Sequence, residues 1–277
     1  LLIIIFSILI LGLIELFIHK NSIANIPIRI HVNGIRGKSS VVRLIASGLR
    51  EGGLRAFAKT TGTIPRIINN KGKDISLHRL RSASIGEQIK LMRLFSKEKP
   101  DAIVMECMAV QPEYQWISEH QMIQSHVGVI TNARPDHLEE MGYSLNHIAK
   151  SLSNTIPFNK KIFTSEVKNI EPINIKALQN NCSVHICEGG KLGDKYLGGF
   201  SFIEHPDNIA LALEVCESIG VSKDRAIKGM RTTNPDPGAL SILNLKINQS
   251  KIDFVNAFAA NDPQSTTTII KLILGLL

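Results

Sequence analysis

His31-Val32-Asn33-Gly34-Ile35-Arg36-Gly37-Lys38-Ser39-Ser40 decides the fold class, because it joins a β-branched run, Ile28 to Val32, to a stretch with helical apolar spacing, Ser40 to Leu49. Gly52-Gly53 then gives that stretch a plausible stop. Between a strand and a helix, the backbone amides of residues Asn33, Gly34, Ile35, Arg36, Gly37 and Ser40 can face phosphate oxygens. Lys38 adds positive charge, and the Ser39 hydroxyl can ligate Mg²⁺. The full GxxxxGK[ST] pattern is not met, since its first glycine falls at Val32. A basic turn is the plain alternative, and the flanking strand and helix favour a phosphate loop over it.

Outward from this loop, further short apolar runs alternate with amphipathic stretches, which predicts an α/β domain with a parallel-rich sheet. Strands are expected at Ala102 to Glu106, Val127 to Thr131 and Lys161 to Thr164, and another helix at Asn208 to Ile219. Met105-Glu106-Cys107-Met108 places an acid at the C-terminal end of a buried strand. Ligands bind at that edge of open α/β sheets, and a carboxylate there can hold Mg²⁺; a strand-end acid that merely caps a loop is an equal alternative. Gly128 to Thr131 likewise runs into Asn132-Ala133-Arg134-Pro135-Asp136-His137, making His137 a candidate metal ligand or orienting group.

The chain has 277 residues, a net charge of +8 and four scattered cysteines without zinc or disulfide spacing. That length gives room for between one and two domains, and the cysteines read as reduced thiols of a cytosolic domain. The positive balance suits a polyanion, whether nucleic acid, anionic lipid, nucleotide or acidic polymer. Leu1 to Ile18 is apolar except for Ser7 and Glu15, close to the roughly 20 apolar residues a spanning helix needs. A signal peptide is the alternative, since Ser22-Ile23-Ala24 loosely fits a cleavage site, but the run exceeds the usual h-region. Arg29, Arg36, Lys38 and Arg43 follow it and favour a cytoplasmic body. Glu15 is expected to face a partner helix or the interface. Near the other end, Asn234-Pro235-Asp236-Pro237-Gly238 reads as an interdomain linker. The chain begins with Leu1 and stops in an apolar run, as a fragment would.

Taken together and in order, GIRGKS, VMEC and NARPDH resemble the shortened phosphate loop, strand-end Glu and N-x-x-x-D-H segment of Mur ligases and folylpolyglutamate synthases. Thr60-Thr61-Gly62-Thr63 is similar to a Ser/Thr-rich loop of that family that helps hold Mg²⁺. His205-Pro206-Asp207-Asn208-Ile209-Ala210 resembles its H-N-x-x-N-x-x-A helix start, and Asn256 to Pro263 the D-Y-A-H-N-P segment that opens its third domain. The N-terminal apolar segment, together with HVNGIRGKSS, AIVMECMAVQPEYQ, TNARPDHLEEMG and NAFAANDPQST, resembles the catalytic subunits of poly-γ-glutamate synthases. The loop begins about ten residues after the apolar segment, leaving no room between them for the UDP-sugar-binding domain of Mur ligases proper.

The resemblance implies a transmembrane anchor over residues 1–20, a Mur-ligase central domain over 27–232 and a truncated α/β domain over 240–277. It further implies ATP and Mg²⁺ as cofactors. Phosphates would lie on Gly34, Gly37 and Lys38, and metal on Ser39, Thr61, Glu106 and His137, with Asn208 near the nucleotide. Glutamate and a polyglutamate chain would be the substrates, integral-membrane subunits the partners, and nucleic acid not a ligand. Folylpolyglutamate synthesis and a nucleotide-gated scaffold are the alternatives. Arg66, Lys71, Lys73, Arg79 and Arg81 form a basic stretch, read first as a solvated face and second as a polymer guide. One departure stands out: the lysine that many of these enzymes carbamylate falls near Leu152, with Lys150 two residues away and Lys160 and Lys161 on the next strand.

Overall fold

A computed structural model describes residues 1–62, 64–77, 84–236, 240–247, 250–257 and 263–276. Thr63, Arg79 and Arg81, with most of the Asn256 to Pro263 segment, therefore lie outside the described residues. One sheet organises the body: eight strands in the order β4-β3-β2-β5-β1-β6-β7-β8. The strands are β1 (Ile28–Asn33), β2 (Ala56–Thr60), β3 (Arg66–Ile68), β4 (Asp74–Ser76), β5 (Ala102–Glu106), β6 (Val127–Ile130), β7 (Lys161–Thr164) and β8 (Ser183–Ile186). From β2 across to β8 the pairing is parallel, and β3 pairs antiparallel with both β2 and β4. Val32, Val104, Val129 and Ile130 are essentially inaccessible, as expected for parallel strands covered on both faces. The order reverses about β1, with β2 and β5 on one side and β6 to β8 on the other. The crevice at the carboxyl end of β1 is thus the switch point where α/β sheets bind ligands.

Helices cover both faces: α1 (Leu2–Ala24), α2 (Lys38–Glu51), α3 (Glu87–Lys97), α4 (Pro112–Ile117), α5 (Leu138–Met141), α6 (Leu145–Leu152), α7 (Glu171–Gln179), α8 (Pro206–Ser218) and α9 (Lys223–Arg231). Helix α2 buries Val41, Val42, Leu44, Ile45 and Leu49 against the sheet and against α8 and α9. On the other face Leu91, Met92 and Phe95 of α3 pack with Phe57, Ile103 and Met105. Beyond α9, β9 (Ser241–Ile247) and β10 (Ser250–Asn256) form an antiparallel hairpin, followed by α10 (Pro263–Leu276).

Helix α1 is long and apolar enough to cross a membrane, and most of it is exposed. Its last turns are docked: His19, Ser22 and Ile23 are buried, and His19 Nε2 lies 3.2 Å from the Gln121 carbonyl. Glu15, in the middle of the apolar run, meets Arg93 of α3 at 2.6 Å. Arg29, expected as a surface charge marking orientation, is instead buried. Its guanidinium donates to the Ile23 and Ile26 carbonyls at 3.0 and 2.6 Å and to Ile123 and Gln124 at 2.9 and 3.0 Å, tying the end of α1 to the body. Burial pushes its pKa below the ordinary arginine value. Arg43 is buried as well.

Under the phosphate loop lies a further buried ionisable pair. His31 of β1 is wholly inaccessible, and its Nδ1 is 2.8 Å from Glu119, which sits in a π-helical stretch, Ser118–Ile123. Glu119 also accepts from the Ser125 amide and hydroxyl. Burial disfavours the imidazolium, but contacts with Cys107 and Glu119 outweigh it and raise His31 to about 9. Because the folded value exceeds the unfolded one near 6.5, this stabilisation is complete below pH 6.5 and is lost as pH rises through 9. His31→Gln should therefore cost roughly 3 kcal/mol near pH 6, and the gap from the parent should narrow steadily toward pH 9. Denaturant titrations of both proteins across that range check it; a gap independent of pH would show that His31 is neutral when folded.

Candidate functional site

The phosphate loop is built inward and outward at once. Asn33 is buried; its amide nitrogen donates to Gln115 Oε1 at 2.9 Å and Thr155 Oγ1 at 3.2 Å, while its Oδ1 accepts from the Gly34 amide at 2.8 Å. Ile35 is also buried, packed with Ile130, Ala133 and Met141. Both side chains anchor the loop from inside. The segment after β6 braces the loop from the side. The Ile35 amide donates to the Asn132 carbonyl at 3.1 Å, the Arg36 amide to Asn132 Oδ1 at 3.1 Å, and Thr131 Oγ1 donates to the Arg36 carbonyl at 2.7 Å. Arg36 pairs with Asp136 at 3.2 Å.

Two glycines permit this approach. A Cβ at Gly34 would stand 2.0 Å from Thr131 Oγ1, and Gly37, at φ +80°, would press one to 2.6 Å from Asn208 Oδ1. Asn208, buried at the start of α8, in turn donates to Glu204 Oε1 at 2.7 Å. Burial, set against hydrogen bonds from Asn208, His205 and Ser40, keeps the Glu204 carboxyl above its ordinary pKa. Gly37 caps α2 in the left-handed region, so the helix's first-turn amides, which have no carbonyl partner four residues back, open toward the loop. Lys38 Nζ crosses the loop to the Gly34 and Ile35 carbonyls at 2.8 and 3.2 Å.

Beside the loop stands Glu106, only 2% exposed, at the end of β5. The parallel register sets Val32 of β1 opposite it, and β2 ends on its other side. Ser39 Oγ donates to Glu106 Oε2 at 2.8 Å and the Thr61 amide to the same oxygen at 2.7 Å, with Thr61 Oγ1 closing on Oε1. Ser39, Thr61 and Glu106 are thus brought together as one set of hard oxygen donors. Hydroxyls can turn their lone pairs from a carboxylate to a cation, so the set fits a divalent metal. His137 makes none of the contacts that join them: it is 45% exposed, at φ 49°, with Nε2 4.0 Å from Asp136. Among the described residues no three His, Cys, Asp or Glu side chains gather as a metal site, so hydroxyls must carry part of any ligation here.

Two features escaped the sequence reading. Asp236, in the segment read as a linker, reaches this site: Oδ2 lies 2.8 Å from the position a Cβ would take at Gly62, and Ser39 Oγ 3.1 Å from the same point. Burial pushes its carboxyl pKa up; the Arg43 charge pulls it down, and the charge of Glu106 pushes it up again. Arg43, on α2, is the hub, bidentate on Asp74 at 3.0 and 2.9 Å and 3.5 Å from Asp236. Nothing local marks either residue, since their partners lie far along the chain. Past Glu106 a cleft of about 520 Å³ opens among Ser84, Met108, Val110, Gln111, Tyr114 and Glu140. A larger one, about 810 Å³, opens at the amino-terminal strand ends around Ile28, Val127 and Lys160, away from the phosphate loop.

Comparison with known proteins agrees with this geometry. Residues 32–185 match the Mur ligase middle domain. PGA synthase CapB of Bacillus subtilis (strain 168) is 40% identical over 269 residues, covering 96% of this chain and 68% of that protein. Capsule biosynthesis protein CapB of Bacillus anthracis is 38% identical over 264 residues, covering 94% of this chain and 57% of its own length. Among solved structures, the bifunctional folylpolyglutamate synthase/dihydrofolate synthase of Yersinia pestis, complexed with AMPPNP and Mn ion, superposes with TM-score 0.74 at 15% identity, over 94% of this chain and 69% of that one. That likeness is one of fold. The chain belongs to the Mur ligase family of ATP-dependent amide ligases, alongside the CapB proteins.

Proposed function

We propose that this protein uses ATP to activate a glutamyl carboxylate as an acyl phosphate and joins it to an incoming glutamate, extending poly-γ-glutamate. The observation that carries the reading is the Glu106 carboxylate, which gathers Ser39 and Thr61 at the mouth of a phosphate loop. In this reading Gly34, Gly37, Lys38 and the first-turn amides of α2 receive the phosphates, and Asn208 lies toward the nucleotide. Glu106, Ser39 and Thr61 hold Mg²⁺, which would neutralise charge on the transferred phosphoryl group. Lys38 leaves the loop carbonyls for phosphate oxygens. The transferred phosphate becomes the leaving group when the amine attacks the acyl carbon, which conserves the phosphate and forms the amide.

In the present geometry His137 extends the Arg36–Asp136 brace, with Nε2 4.0 Å from Asp136. The cleft beyond Glu106 suits the acceptor end of the chain, since Gln111 and Tyr114 offer hydrogen bonds there. Helix α1 serves as an anchor for a cytoplasmic body: Ser22 and Ile23, where a leader would be cut, are buried in the body instead. Domain limits of 1–20, 27–232 and 240–277, and membrane partner subunits, belong to the same proposal. A scaffold that merely senses nucleotide would release no phosphate in response to glutamate.

Lys38→Ala should lower glutamate-dependent phosphate release by roughly a hundredfold or more while leaving folding and membrane association intact. Near-normal turnover in that variant would remove the loop from the mechanism. Glu106→Gln should raise the Mg²⁺ concentration needed for half-maximal activity, because an amide is a poor ligand for a hard cation, and excess Mg²⁺ should restore part of the rate. An unchanged Mg²⁺ dependence would dismiss the metal role of Glu106.

Leu152 is wholly buried in the core and Lys150 points to solvent on α6. Turnover should accordingly be indifferent to bicarbonate, and Lys150→Ala should keep most of it. Activity lost in CO₂-depleted buffer and recovered with bicarbonate by the parent, yet not by Lys150→Ala, would identify Lys150 as a carbamylated ligand.

A further inference from the structure

We infer that Asp236 is a second carboxylate of the cation site, supplied by the segment that leads from α9 to the β9–β10 hairpin. The inference rests on the reading that Glu106, Ser39 and Thr61 hold a divalent cation, and it adds a residue to that set. Three observations carry it. Asp236 Oδ2 and Ser39 Oγ crowd the same small space beside Gly62, at 2.8 and 3.1 Å from where a Cβ would stand, and Gly62 directly follows Thr61. The Asp236 side chain is 12% exposed, and its two oxygens divide: Oδ1 faces Arg43 Nε at 3.5 Å without a hydrogen bond, and Oδ2 is the oxygen on the Ser39 side. Arg43, which pairs with it, is already held bidentately by Asp74, and the Arg43 Nε that faces Asp236 at 3.5 Å is itself without a hydrogen bond; the charge of Arg66 also acts on Asp236.

A largely buried carboxylate that feels the charge of a second one, Glu106, is costly unless a cation enters between them, and Oδ2 is the oxygen turned to that side. Arg43 alone does not explain the position, because a carboxylate serving only that guanidinium would take the hydrogen-bonding geometry that Asp74 takes. What Arg43 does fix is the backbone: it also donates to the Asn234 carbonyl at 3.4 Å, holding the segment so that Asp236 points at Ser39. Hydroxyls of Ser39 and Thr61 with carboxylates of Glu106 and Asp236 make an all-oxygen donor set of the kind hard divalent cations choose.

The test uses Mn²⁺ as the probe and the whole protein in lipid nanodiscs, following free Mn²⁺ by electron paramagnetic resonance with and without a non-hydrolysable ATP analogue. Asp236→Asn should weaken Mn²⁺ binding by roughly tenfold, and Asp236→Glu should recover most of it. Asp74→Asn, which takes away the better partner of Arg43 but leaves Asp236, should stay within about twofold of the parent. Thermal melts without metal check folding, and Asp236→Ser replaces Asp236→Asn if that variant melts early. Mn²⁺ affinity unchanged in Asp236→Asn but lost in Glu106→Gln would overturn this inference alone. So would equal losses in Asp74→Asn and Asp236→Asn, which would make Asp236 a structural partner of Arg43. No loss in Glu106→Gln would overturn the cation reading beneath it.

Discussion

The parallel register of three strands is the constraint on which the site depends. Because Val32 lies opposite Glu106 and Lys59 opposite Met105, the ends of β1, β5 and β2 come out level. The phosphate loop, the acid and Thr61 follow those ends directly, so their proximity is inherited from backbone hydrogen bonding and needs no further device. A one-residue slip in β5 would turn Glu106 to the opposite face of the sheet and break the set. The apolar residues of β5, all buried, resist such a slip.

Charge is managed in the same economical way. The chain carries a surplus of positive charge, yet several basic groups nearest the site are internal. Arg43 is held by Asp74, Lys59 by Glu87 at 3.2 Å, and His31 by Glu119. Each of these pairs joins elements far apart in sequence, so removing one partner would leave an uncompensated buried charge. They act as fixed points around the loop, whereas Lys38 hydrogen-bonds the backbone carbonyls of Gly34 and Ile35.

Much of this was legible in the sequence where a signal is local. A loop bounded by glycines, an acid ending an apolar run and a strand that breaks into polar residues all announce themselves within ten residues. Strands at Ala102–Glu106 and Lys161–Thr164 were delimited as observed, while α2 began two residues earlier than the helical spacing suggested, at Lys38, because Gly37 caps it. Short β3 and β4 gave no pattern, having three residues each. Asn33 and Ile35 read as loop residues, and only the third dimension shows their side chains buried beneath it. Asp236 was hidden for the opposite reason: flanking prolines mark a linker so strongly that the acid between them reads as a turn residue.

Arg29 shows why a count of basic residues after an apolar helix is a weak guide to architecture. Four carbonyl oxygens receive its guanidinium: Ile23 and Ile26, in and just past the last turn of α1, and Ile123 and Gln124, where the π-helical stretch ends. Carbonyls at a helix end lack partners in the helix itself, and a buried guanidinium supplies several donors in one plane. The consequence is a junction with no slack: α1 runs into β1 within a few residues, its last turns pack on the body, and Glu15 is tied to α3 through Arg93. Any surface that holds α1 therefore also orients α3 and, through the core beneath it, the strands whose far ends carry the phosphate loop. A helix end capped by Arg29 is joined to the body by side-chain hydrogen bonds as well as by the chain itself.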